Sequence, residues 1–230
     1  MSDRAADPLI VAIDGPVGVG KSTVATGVSR RLGIPYLETG AMYRAVAYAA
    51  LERRIDLEDR QAVSDLAAEI DLELKTDGAR MAVLVDGVEL GDRLRAPEVG
   101  TAASVVAAYP TVRRRMVELQ RASARRSGAV LEGRDIGTKV FPDTPHKFFL
   151  TAPARVRAER RRSQLAAAGK AVGPADALER QIVERDRRDS ERDDSPLVCD
   201  DSYQRIDTSG LDAEGVVAAI VAAVADRARD

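Results

Sequence analysis

The sequence predicts an α/β fold: a five-stranded parallel sheet with helices on both faces, a small antiparallel β insert and a helical, arginine-rich lid. Three observations predict it. The glycine-rich turn Gly15-Pro16-Val17-Gly18-Val19-Gly20-Lys21-Ser22 stands between an apolar run and an amphipathic segment. Short apolar runs near 9–13, 36–38, 129–132, 147–150 and 203–207 alternate with helical periodicity. Between 71 and 90 the pattern changes to polar–apolar alternation broken by turn residues.

Leu9-Ile10-Val11-Ala12-Ile13 reads as a buried strand, and the helix from Lys21 to Leu32 follows the glycine-rich turn. Gly33-Ile34-Pro35 breaks that helix, Tyr36-Leu37 is a short strand, and a helix over about 41–53 turns Met42, Val46, Ala49 and Ala50 toward the core. Its first turn carries Tyr43 and Arg44. Arg44 is either a solvated helix charge or a group facing the crevice at the carboxyl ends of the strands, where ligands of such sheets collect. Residues 59–70 form a helix, and 71–90 a meander with turns at Thr76-Asp77-Gly78 and Asp86-Gly87. Helices return over 97–108 and from Thr111 to about Arg126. Because consecutive helical residues splay about 100° apart, at most one or two of Arg113, Arg114 and Arg115 face inward.

Ala129-Val130-Leu131-Glu132 is a strand running into Gly133-Arg134-Asp135-Ile136-Gly137, a second place where charged residues and glycines stand just past a parallel strand. His146 begins the next strand, at its solvent side. The helix over 154–167 carries Arg155, Arg157, Arg160, Arg161 and Arg162, the segment 168–174 is a flexible break, and a helix from Ala175 interleaves arginines with carboxylates. Such alternation describes a solvated face laced with weak ion pairs; in a chain built for polyphosphate it also describes a lid. Tyr203–Asp207 is the last strand, and Asp212 caps the final helix. The expected organisation is a core of 1–58, 101–150 and 198–230, an inserted subdomain over 59–100, and a lid over 151–197.

Composition sets limits. In 230 residues, 45% apolar content builds a sizeable core. Basic and acidic residues nearly balance at 35 and 37, so the formal charge of -2 gives no pull toward nucleic acid or membrane, and neither is an expected partner. The lone Cys199 excludes an internal disulfide or a cysteine-based metal site. No run reaches membrane-spanning length and the first residues lack a signal peptide's apolar stretch, so a cytoplasmic protein is expected; a monomer is the expected oligomeric state.

The turn matches G-x-x-x-x-G-K-[ST] at every position, in the strand–turn–helix context that a phosphate-binding loop requires. Gly15, Pro16, Val17, Gly18, Val19, Gly20, Lys21, Ser22 and Thr23 therefore form the candidate ATP cradle, and the sheet is of the P-loop NTPase type. Backbone N–H groups and the helix N-terminus surround an anion. Lys21 meets the β- and γ-phosphates, and either Ser22 or Thr23 reaches the magnesium that accompanies them. A GTPase is disfavoured because no N-K-x-D or T-K-x-D sequence is present. A motor ATPase needs a longer chain and an acidic strand end, for which Leu131-Glu132 is a weak substitute. A kinase for a small phosphorylated or hydroxylated acceptor fits better; a UMP, AMP or shikimate-type kinase and a nucleic-acid-binding module are the alternatives.

Several stretches then carry a closer resemblance: Ile13-Asp14-Gly15-Pro16, Glu38-Thr39-Gly40-Ala41-Met42-Tyr43-Arg44, Ala102-Ala103-Ser104-Val105-Val106-Ala107, Gly133-Arg134-Asp135-Ile136-Gly137-Thr138, Phe141-Pro142-Asp143 and Glu184-Arg185-Asp186-Arg187-Arg188-Asp189-Ser190-Glu191-Arg192. Over about 10–206 the chain resembles the bacterial cytidylate kinases, which also carry the meander insert. That resemblance implies that Thr39, Arg44 and Arg134 hold the phosphate of CMP, with Tyr43 beside Arg44. It further implies that Ser104, Arg113 and Asp135 read the cytosine edge, that Arg185 and Asp189 hold the ribose, and that Arg192 lies near the transferring group. The sequence departs from the family where Glu38-Thr39-Gly40 replaces a frequent Asp-Ser-Gly and where Ser22 replaces a glycine. The implied reaction is in-line transfer from Mg-ATP to CMP, and to dCMP. Lys21, Arg134, Arg192 and the lid arginines, Arg160 and Arg161 among them, gather round the developing charge.

Overall fold

The structure, a computed structural model, describes residues 8–77, 80–169 and 173–227. The expected turn at Gly78 and part of the expected break at 170–172 lie outside the described residues, as do residues 1–7. The chain divides into two compact units, the first running through Ile10 and over Gly33–Leu131, the second over Val11–Leu32 and from Glu132 onward.

In the first unit β2 (Tyr36–Glu38) leads directly into α2 (Thr39–Glu52). After α3 (Arg60–Glu69), whose first amides at Gln61 and Ala62 are capped by the Asp59 carboxylate, come β3 (Leu72–Asp77), β4 (Arg80–Val85) and β5 (Val88–Glu89). These three pair antiparallel, from Leu72 opposite Val85 to Asp77 opposite Arg80, with Val88 opposite Val85. The meander is not a free-standing sheet. β4 also joins β2 in parallel at Tyr36 and Arg80, so the strand order in this unit is β3-β4-β2-β6, where β6 spans Ala129–Gly133. Helices α4 (Pro97–Val106) and α5 (Pro110–Ser127) both start on a proline at the first helical position, where the missing N–H leaves no bond unmade. α2 packs on α4, and α3 on α5.

The second unit is built on β1 (Ile10–Asp14), β7 (His146–Thr151) and β8 (Gln204–Asp207), hydrogen-bonded in the order β1-β7-β8. The register is parallel throughout: Val11 opposite His146, Asp14 opposite Phe149, Phe149 opposite Arg205. All five residues of β1 are buried, as a strand covered on both faces requires. α1 (Lys21–Leu32) packs on the final helix α8 (Ala213–Arg227), whose start is capped where Asp212 accepts from the Gly215 amide at 2.8 Å. The arginine-rich segment supplies α6 (Ala154–Ala167) and α7 (Ala175–Ser190), packed together.

The five parallel strands expected from the sequence, β1, β2, β6, β7 and β8, are all present, with the antiparallel strands beside them. Two details differ from expectation. Residues Ile136–Val140 form a π-helical turn, and His146 is only 8% exposed where the sequence suggests a solvent-facing position. Among the described residues no helix is long and apolar enough to cross a membrane.

Candidate functional site

The second unit carries the glycine-rich loop at the carboxyl end of β1, the edge where ligands of parallel sheets bind. Gly15 adopts φ +151°, and a Cβ there would collide with the Leu150 carbonyl oxygen, so only glycine lets the loop leave the strand so close to β7. Lys21 opens α1 and is buried; its Nζ turns back to donate to the carbonyl oxygens of Gly15 and Pro16, each at 2.8 Å. Burial, and then the Arg134 guanidinium, push its pKa down to about 7 against the pull of Glu132, Asp14 and Asp189. The Ser22 hydroxyl donates to Glu132 Oε1 at 2.7 Å; Ser22 and Thr23 are both exposed. Ser22 and Glu132 thus offer hard oxygen atoms at the mouth of the loop. Among the described residues no group of three or more His, Cys, Asp and Glu could hold a metal. An ion bound here would take most of its ligands from phosphate and water, which is how magnesium accompanies nucleotides, and the oxygen donors present fit it.

Beyond β6 the second charged cluster forms. Arg134 Nε donates to Asp189 Oδ2 at 2.7 Å, and Arg192 donates to Asp189 Oδ1. Asp189 is 1% exposed. Burial alone would raise its pKa, but Arg134 and Arg192, with Arg185 contributing to the same field, hold it below the usual carboxylate range. Arg134 shows the converse: burial works against its charge, and Asp189 more than offsets that. Asp135 is buried at the start of the π-helical turn, its carbonyl accepting from the Lys139 and Val140 amides. The structure therefore brings Lys21, Arg134, Arg185, Asp189 and Arg192 into one electrostatic neighbourhood.

The arginines of α6 separate by helical position. Arg157 is buried and donates to Ala152 O at 2.9 Å and Val17 O at 2.8 Å, while pairing with Asp186 at 2.6 Å. Asp186 in turn accepts from the Val17 amide at 3.2 Å, so α6 and α7 are both fastened to the loop. Arg160 donates to the Thr208 hydroxyl at 3.0 Å, and Arg161 is exposed.

The first unit holds the remaining candidates. Thr39 is buried at the start of α2, and Arg44, one turn on, donates to Glu38 Oε1 at 2.7 Å. Of the three adjacent arginines on α5, Arg113 is the buried one, 2% exposed, while Arg114 is exposed and Arg115 partly so. Arg113 lies over the Tyr43 ring, 5.3 Å from its centroid, and donates to Ala107 O at 3.1 Å. On α4 the Ser104 hydroxyl oxygen is buried with no hydrogen-bond partner. A buried hydroxyl left open in this way is the kind of group that a bound ligand satisfies.

Sequence reasoning did not single out Asp14, Arg157, Asp186 or Tyr203, and rated Glu132 only a weak acidic strand end. The one available signal was position: Asp14 and Glu132 end strands beside glycine-rich loops.

Comparison with known proteins follows the same direction. The cytidylate kinase family model matches residues 11–226. The chain is 48% identical over 221 residues to the cytidylate kinase of Pelotomaculum thermopropionicum, covering 96% of this chain and 97% of that protein. It is 49% identical over 208 residues to the cytidylate kinase of Limosilactobacillus fermentum, covering 90% and 91%. Among solved structures, an uncharacterized protein from Eubacterium ventriosum aligns with a TM-score of 0.52 over 95% of this chain and 98% of that one, at 13% identity, a likeness of fold alone.

Proposed function

The chain belongs to the cytidylate kinase family, and from that premise we propose that it transfers the γ-phosphoryl group of ATP directly to CMP, and to dCMP. The observation that carries the reading is local to the second unit: a buried lysine in a phosphate loop shares its electrostatic field with an arginine cluster on the Arg134 loop. One set of cations suits the donor and the other the acceptor.

In this reading the loop from Gly15 to Thr23 cradles the triphosphate, and Lys21 exchanges the Gly15 and Pro16 carbonyls for phosphate oxygens. Ser22 or Thr23, with Glu132, would hold the magnesium of Mg-ATP, which when bound neutralises charge on the phosphate oxygens. Thr39, Arg44 and Arg134 hold the acceptor phosphate, with Tyr43 beside Arg44. Ser104, Arg113 and Asp135 read the base. Asp135 accepts from the cytosine amino group and Arg113 donates to the ring; uracil reverses the pattern at ring position 4 and leaves polar groups unpaired, at about 1–3 kcal/mol each. Arg185 and Asp189 hold the ribose. Arg192, with Arg160 and Arg161 of the lid, neutralises charge as it develops, and closure of the lid excludes water, an otherwise competing acceptor. The acceptor phosphate is already anionic near neutral pH, so positioning and electrostatics suffice without a general base. A cytoplasmic monomer without nucleic-acid or membrane partners belongs to the same reading, supported by the near-balanced charge and the single cysteine.

The test is ADP release with CMP, dCMP, UMP and AMP as acceptors. CMP and dCMP should give the highest kcat/KM. Preference for UMP or AMP, or no release with any of the four, contradicts the proposal.

A further inference from the structure

Asp14 is a wholly buried carboxylate for which the proposed chemistry has no use. It ends β1 and makes three hydrogen bonds to distant parts of the chain. Its Oδ1 accepts from the Ile136 amide at 3.0 Å, and its Oδ2 accepts from the Gly137 amide at 2.9 Å and from the Tyr203 hydroxyl at 2.7 Å. Those amides belong to the π-helical turn that begins directly after Asp135. We propose that Asp14 and Tyr203 are a positioning pair that sets the Arg134–Asp135 loop for reading cytidylate, an inference that rests on the cytidylate kinase reading.

The geometry is closed on several sides. Phe149 is the register partner of Asp14 across β1 and β7, and its ring meets that of Tyr203 edge-on, with centroids 5.8 Å apart at 85°. Tyr203 also lies directly on the turn, since a Cβ at Gly137 would sit 2.7 Å from its hydroxyl oxygen and 3.0 Å from Lys147 Cδ. Two amides bound to the two oxygens of one carboxylate fix the two successive peptide planes that follow Asp135. Turning the first of them shifts the Asp135 backbone and with it the Asp135 and Arg134 side chains. Burial pushes the Asp14 pKa up to about 6 against the three hydrogen bonds that favour the charged form.

Asparagine at position 14 keeps the volume but offers one acceptor oxygen and an NH2 group that faces a donor. Asp14→Asn is expected to raise KM for CMP about tenfold or more, the effect of losing one charge-assisted bond, and to narrow the preference for CMP over UMP. The KM for ATP should stay within about threefold of wild type. Tyr203→Phe removes only the hydroxyl bond and should shift the same two readouts in the same direction by less; it decides the matter should Asp14→Asn fail to fold. Steady-state kinetics on both acceptors, beside thermal unfolding, supply the comparison. If wild type phosphorylates CMP while the folded variants keep its CMP KM and its CMP/UMP ratio, or lose thermal stability alone, the positioning role is overturned and the parent reading survives. A wild-type protein inactive on CMP overturns both.

Discussion

Nucleotide binding is expected to draw a proton onto Lys21, and the size of the uptake follows from its surroundings. In the free protein the amine is buried, bonded to two carbonyl oxygens, and held by burial and by Arg134 to a pKa of about 7. At pH 8 only about one amine in ten then carries its proton. A triphosphate in the loop brings negative charge to about 4 Å; at an effective dielectric near 20 each such pair is worth about 4 kcal/mol, or about three pKa units. That returns Lys21 to its ordinary value of 10.5. Binding at pH 8 should therefore take up about 0.9 proton, falling to about 0.5 at pH 7 and toward zero at pH 6. Calorimetric titration with ATP and a metal chelator, in buffers of different ionisation enthalpy, reads this number directly. The second ionisation of a phosphate group lies near pH 6, so ATP itself contributes little at pH 8. Lys21→Met should abolish the uptake. No uptake at pH 8, or the same uptake in Lys21→Met, refutes the assignment. The sign for stability is also fixed: between about pH 7 and 10.5 the unfolded chain binds the extra proton, so this group makes the free protein more stable as pH rises through that window.

Two further substitutions probe the charged clusters. Asp189→Asn strands the Arg134 and Arg192 charges and should destabilise the fold by about 3 kcal/mol in urea unfolding. Because the folded pKa of Asp189 is depressed, its contribution is present above the ordinary carboxylate value and lost as pH falls through the folded one, so the acid limb of the stability curve should flatten in this variant; an unchanged midpoint contradicts the network. Glu132→Gln removes the charge from the acceptor of the Ser22 hydroxyl and should raise the magnesium concentration needed for half-maximal activity about tenfold, read by metal titration at fixed ATP. An unchanged magnesium requirement removes Glu132 from the metal's surroundings.

Local patterns were legible in the sequence because they are set by neighbours in the chain. The glycine-rich loop, the Asp212 cap and all five parallel strands follow from glycine placement, a short polar side chain at a helix start and buried apolar runs. Pairing at long range was not legible. The Ser22–Glu132 bond spans 110 residues and the Asp14–Tyr203 bond 189, and neither leaves a periodic trace. Helical periodicity showed that the three arginines at 113–115 cannot all face inward, but which arginine of α6 is buried depends on what packs against it. There Arg157 meets Val17 and Asp186, a contact that no pattern within α6 encodes. His146 illustrates the opposite difficulty: a polar residue at a strand start reads as exposed, yet it is covered by the packing around β7.

The most direct measurement of the proposed phosphoryl transfer follows the phosphate itself. Purified protein is incubated with γ-labelled ATP, magnesium and CMP, and the nucleotides are then resolved. The label should move into CDP in step with ADP formation, with little released as inorganic phosphate. Label recovered as inorganic phosphate, or in some other acceptor while CMP stays unmodified, would contradict the assignment.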